Sequence, residues 1–186
     1  MALEMGKTFG VGIDDGRGET AVVVAHARSA WGSMHGLAMV AALVILAVIV
    51  AVGALLNPSG DDFRWFLHLR RPRWLTFERW IPAIWLAIYL CFYASALLVW
   101  QASTNLALMA GYLGLVLLVQ SYTWLICRSR TLRNGTVIGL AGWAWGVALA
   151  VVVLPLSRPA ALLLIPFLLW SPVGSFVTWR MEGLNR

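Results

Sequence analysis

The chain is poor in charge. Asp, Glu, Lys and Arg make up 12% of its 186 residues, about half their share in an average soluble domain. Lysine is reduced to Lys7, and cysteine to Cys91 and Cys127. The cysteine spacing fits no disulfide framework or zinc site, so these residues read as buried free thiols. The longest apolar blocks, at about 36–56, 80–100, 106–127, 135–156 and 160–179, contain no Asp, Glu, Lys or His. Proton relays and ion-coupled transporters keep such groups at membrane depth because their mechanism requires them. Hydrolases likewise need a general base or metal ligands. The sequence therefore names no catalytic residue, no metal site and no required cofactor.

What is present is apolar. Hydrophobic residues account for 61% of the chain, gathered into blocks of the roughly 20 residues that cross a hydrocarbon core as helix. The expected fold class is an all-α integral membrane protein with five transmembrane helices. Asn57-Pro58-Ser59-Gly60 and Ser157-Arg158-Pro159 carry strong breaker chemistry between blocks, and Gln101 to Asn105 forms a polar turn. Residues 1–35 read as a polar, glycine-rich tail and 36–182 as the membrane domain. Gly10, Gly12 and Gly16 lack the strand before and the Lys-Ser pair after that a phosphate loop needs.

The net charge of +6 is placed for topology. The 61–79 loop, the 128–134 loop and the C-terminus hold ten arginines, against three arginines and one lysine in the other connections and the tail. The positive-inside rule then puts the C-terminus in the cytoplasm and the N-terminus outside. This distribution argues against a nucleic-acid partner and for membrane lipid as the main surrounding.

Aromatic residues follow helical spacing. Trp85, Tyr89, Phe92, Ala96 and Trp100 fall along one face of the second span, Gln120 and Trp124 share a face of the third, and Pro166 and Trp170 a face of the fifth. Such stripes pack helices together, or line a pocket. Gly135 and Gly139, and Gly142 and Gly146, are small-xxx-small pairs compatible with packing inside the chain or with a homodimer. His26, His35 and His68 lie outside the spans and read as solvated or interfacial.

Several of these residues together resemble the signature of the TspO/translocator family of tryptophan-rich membrane proteins. They are Arg64-Trp65-Phe66, Arg71-Pro72-Arg73-Trp74, then Trp80, Trp85, Tyr89 and Leu98-Val99-Trp100, with Pro166-Phe167-Leu168-Leu169-Trp170 and Trp179-Arg180 near the end. The resemblance implies a five-helix bundle of TspO/MBR type enclosing a pocket with the first loop as its lid. It implies a receptor, carrier or regulator that binds a tetrapyrrole (a porphyrin, haem or a haem-pathway intermediate) or another hydrophobic molecule. Trp85, Tyr89, Phe92, Gln120, Trp124 and Trp170 are the expected pocket residues, and Trp65, Pro72 and Trp74 the lid. Arg64, Arg70, Arg71 and Arg73 are placed to meet ligand propionates or lipid headgroups. Light-dependent porphyrin degradation, and service as an accessory or assembly subunit of a larger membrane complex, are the alternative functions.

The chain also departs from the family pattern. Trp74-Leu75-Thr76-Phe77-Glu78 lacks the prolines usual before the second helix, and Ser121 to Ile126 keeps one tryptophan of a Trp-x-Trp-Pro-Pro motif. Leu140 stands near the place of a common acidic residue, and the stretch from Trp170 to Trp179 is about three residues short.

Overall fold

The computed structural model describes residues 36 and 38–185; the polar tail, with His26 and His35, lies outside the described residues. Five helical spans are long and apolar enough to cross a membrane: Ala38–Leu55, Glu78–Ser103, Leu106–Ser129, Leu132–Val153 and Arg158–Leu184. No strand occurs among the described residues.

The first span is α1, Ala38–Leu55. Most of its side chains are exposed on the outside of the bundle, where an uninterrupted run of Leu, Val, Ile and Ala meets hydrocarbon. Its inward stripe, Ile45, Ile49, Val52 and Leu56, recurs at i, i+4, i+7 and i+11 and packs on the core. Pro58 stops the helix, and Ser59 caps the next one by accepting a hydrogen bond from the Asp62 amide at 3.3 Å. That helix is α2, Gly60–Leu67, with Asp61 and Asp62 in its first turn, where the helix dipole favours negative charge. A short 3-10 turn, Glu78–Trp80, leads into α3, Ile81–Ser103, whose first turn holds Pro82. There the ring's missing N–H costs nothing.

Thr104, with φ of 44°, ends α3 in the left-handed region. Asn105 at once caps α4, Leu106–Ser129, by accepting from the Ala107 amide at 2.8 Å. Helix α5, Leu132–Val153, follows Thr131. The last span is two pieces, α6, Arg158–Leu162, and α7, Ile165–Leu184.

The break between α6 and α7 releases a carbonyl that the bundle then satisfies. Leu164 N–H turns to Ala161 O at 3.1 Å, so the Ala160 carbonyl loses its helical donor. Ser95 of α3, fully buried, donates to that carbonyl at 2.7 Å and accepts from the Tyr112 hydroxyl of α4 at 2.6 Å. Three spans are pinned at one point. Pro172 inside α7 repeats the pattern, since it cannot donate to Leu168 O. The Trp143 indole of α5 supplies the missing donor at 3.1 Å.

Helix α5 packs on α4 and α7 through its glycines. A Cβ at Gly135 would collide with Ile126, one at Gly139 with Ser175, and one at Gly146 would lie 2.7 Å from the Phe167 ring. Contacts within the chain therefore occupy the glycine face that the sequence leaves open to a dimer as well. The core falls into two clusters. One is built on Phe92, Leu115, Val153 and Phe167, the other on Ile126, Leu132 and Met181, with Trp65, Phe66 and Leu69 of the loop region packed against it.

Candidate functional site

Between the two clusters lies a cavity of about 390 Å³, within the size range of small-molecule sites. Trp85 of α3 and Trp170 of α7 both line it. Each indole is held by a second ring: Trp85 lies 6.0 Å from Tyr89, and Phe77, also on the wall, meets Trp170 edge-on at 5.9 Å. These separations are those of favourable aromatic pairs, and they limit the freedom of both indoles. Phe63 and Phe66 of α2 cover the loop side.

The charged part of the wall is an ion pair. Arg71 Nε meets Glu78 at 2.6 Å, while its Nη1 donates to Leu67 O at 3.0 Å and its guanidinium sits over the Phe66 ring. One side chain thus ties the end of α2 to the start of the second span.

The opposite wall is made of small and hydroxylic residues from α4, α5 and α7. Gly139 and Gly142 leave space, and Ser171, Ser175, Thr178 and Tyr122 face it. Ser171 donates to Gly139 O at 3.2 Å. Tyr122 pairs closely with Thr178 and reaches Gly174 O at 3.3 Å. The site therefore has two aromatic jaws, one ion-paired arginine and a neutral polar strip. Among the described residues no cluster of His, Cys, Asp or Glu could hold a metal.

The family model described as TspO/MBR family matches residues 28–184. The chain belongs to the TspO/MBR family. It is 30% identical over 160 residues to the translocator protein of Ovis aries, an alignment covering 74% of this chain and 91% of that protein. The translocator protein of Bos taurus matches with the same identity and coverage. An uncharacterized membrane protein, YtaB, of Bacillus subtilis (strain 168) is 24% identical over 147 residues, covering 75% of this chain and 95% of its own length.

In this TspO/MBR protein the expected site residues do not all meet. Trp85, Trp170 and Arg71 line the cavity. Tyr89 stands behind Trp85, and Phe92, fully buried, continues the row into the core against Phe167 at 5.2 Å. Gln120 points elsewhere, donating to Ile49 O of α1 at 3.0 Å, and Trp124 is half-buried away from the cavity. Of the loop residues, Trp65 packs on the second core cluster. Pro72 is buried under the turn that Leu75 closes back onto its carbonyl. Trp74 stacks outward on Phe176. Arg64 pairs with Asp61, and Arg73 is exposed. Arg70 offers its backbone to Asn185, which accepts from the amide at 2.9 Å and donates to the carbonyl at 3.0 Å. The end of α7 thereby clasps the loop.

Sequence reasoning overlooked Phe63, Phe66 and Phe77 as cover, and Tyr122, Ser171, Ser175 and Thr178 as wall. One signal was available for the α7 residues. Ser171, Gly174, Ser175 and Thr178 recur at i, i+3, i+4 and i+7, a small-residue face matching the glycine face of α5.

Proposed function

We propose that this protein is a membrane receptor or carrier that takes a tetrapyrrole, or another flat hydrophobic molecule, into the cavity between its two core clusters. The observation that carries the reading is the pair of indoles, Trp85 and Trp170, on the wall of one 390 Å³ space. A planar, polarisable macrocycle gains most against aromatic faces, and a few polar groups suffice to orient it. Arg71 is the guanidinium suited to a propionate, because it already borders the cavity and its present partner is also a carboxylate. The absence of charged residues in the middle of the spans favours binding over ion-coupled transport. Titration of the purified protein with protoporphyrin IX is expected to quench tryptophan fluorescence saturably with one site per chain. Quenching that rises linearly without saturation, as free dye would give, counts against the reading.

The arginine asymmetry of the connections further supports a cytoplasmic loop over 61–79 and an external turn at 101–105. In intact bacterial cells producing the protein, a membrane-impermeant thiol reagent is expected to label Gln101→Cys directly and Arg73→Cys only after permeabilisation. The native Cys91 and Cys127 lie inside spans and stay silent. The reverse labelling pattern would invert the orientation.

A further inference from the structure

Among the described residues, the cavity's polar strip contains one fully buried hydroxyl with nothing to bond. Ser175 is 4% exposed, borders the cavity, and its Oγ has no hydrogen-bond partner. Three other hydroxyls of that wall are committed: Ser171 to Gly139 O, Thr178 to Gly174 O, and Tyr122 to Thr178 and Gly174 O, while Thr123 is only half-buried. Serine and threonine inside an apolar helix ordinarily donate back to a carbonyl one turn earlier. Thr178 does so at 3.0 Å, as do Ser103 to Val99 O at 3.0 Å and Ser129 to Leu125 O at 2.6 Å. Ser175 is turned away from its own helix.

The hydroxyl lies against Gly139 of α5, itself a cavity residue, where an added Cβ would collide with it, so it meets an occupant of the cavity by a turn about its Cα–Cβ bond. A buried hydroxyl without a partner costs about 1–3 kcal/mol, and the cost is recovered if a cavity occupant supplies the missing group. The other buried side-chain oxygen without a partner among the described residues, on Thr136, does not border this cavity. Among the described residues no charged group other than Arg71 and Glu78 lines the space, so the function that meets Ser175 is neutral.

We propose that Ser175 is the specificity contact of the cavity, bonding a neutral oxygen function, a hydroxyl or carbonyl, borne by an otherwise apolar ring ligand. The inference rests on the tetrapyrrole-class reading above and narrows it to rings carrying such a substituent at the edge away from their carboxylates. Ser175 can donate to a carbonyl, or both donate to and accept from a hydroxyl.

Two commercial porphyrins separate this contact from bulk affinity. Haematoporphyrin IX carries hydroxyethyl groups where mesoporphyrin IX carries ethyl groups, on the same dicarboxylate ring. Dissociation constants are measured for both with the wild type, Ser175→Ala, Ser175→Cys and Thr136→Val. Wild type is expected to prefer haematoporphyrin. Ser175→Ala should weaken haematoporphyrin about three- to ten-fold, the value of one buried hydrogen bond, and leave mesoporphyrin within about two-fold. Ser175→Cys, similar in volume and a poorer donor, should fall between. Thr136→Val, which removes the other unpaired hydroxyl at a place that does not border the cavity, should keep the wild-type ratio. A ratio of the two porphyrins that is the same in Ser175→Ala as in wild type overturns the contact and leaves the porphyrin reading standing. Failure of the wild type to bind either porphyrin saturably overturns both.

Discussion

Replacing Trp85 and Trp170 together by alanine is expected to weaken porphyrin binding by about a hundred-fold or more. Each indole offers a large face to a flat ligand, and loss of one such contact costs about 1.5–2 kcal/mol, so two together exceed about a hundred-fold at 1.4 kcal/mol per decade. The single variants should each give about ten-fold, and phenylalanine at either position should recover part of the loss. The fold should survive. Tyr89 and Phe77, the rings that buttress the two indoles, still pack on Phe92 and Trp74 respectively. Titration followed by the porphyrin's own absorbance avoids relying on the tryptophans that are removed. A double variant that binds with wild-type affinity would place the ligand outside this cavity.

Gly146→Val should produce a large loss of stability. A Cβ at that position would sit 2.7 Å from Phe167 and 3.2 Å from Leu168. Phe167 is fully buried and meets Phe92 edge-on, so it can yield only toward the cavity it borders. Overpacking of this kind costs about 1–3 kcal/mol, and a β-branched residue at a close helix crossing belongs at the upper end. The melting temperature should fall by about 6–10 °C, with Gly146→Ala showing roughly half the drop. Cys127 offers a convenient readout, because its thiol is fully buried and becomes reactive to a fluorogenic maleimide only on unfolding. An unchanged melting curve for the valine variant would mean that α5 and α7 are not as closely apposed as described.

The spans were legible because length and polarity decide them. An uncharged run of about twenty residues has one stable solution in a bilayer, and Asn57-Pro58 or Ser157-Arg158-Pro159 cannot continue a helix. The interruption between α6 and α7 carried one signal, Pro166 in the first turn of α7, but its partner, Ser95 on a distant helix satisfying the freed carbonyl, was not legible. At the site, Trp85 and Trp170 stood out through the family-like pattern of residues. Trp124 shows why the remainder did not. The cavity takes Tyr122, and a residue two further along an α-helix points about 200° away, so the same helix cannot offer Trp124 to the same space. Gln120, two residues before Tyr122 and on the same face as Trp124, is turned away for the same reason and serves α1 instead. Phe92 shares the face of Trp85 but lies two turns along the axis, beyond the end of the cavity. Periodicity gives the face; depth comes only from how the helices slide against one another. The hydroxyl strip was hidden because Ser175 matters only opposite Gly139, and that pairing is set by the docking of α5 on α7.

The thin attachment of α1 has a practical side. Among the described residues, a stripe of four aliphatic side chains and the bond from Gln120 to the Ile49 carbonyl hold it to the bundle, and most of its circumference is exposed. Between apolar helices in lipid there is no hydrophobic force to make up the difference. Lateral support for this segment therefore comes from the acyl chains around it, and a solubilising agent that strips those chains removes it. Preparations kept in bilayer discs preserve the native setting of the first span in a way that small micelles do not.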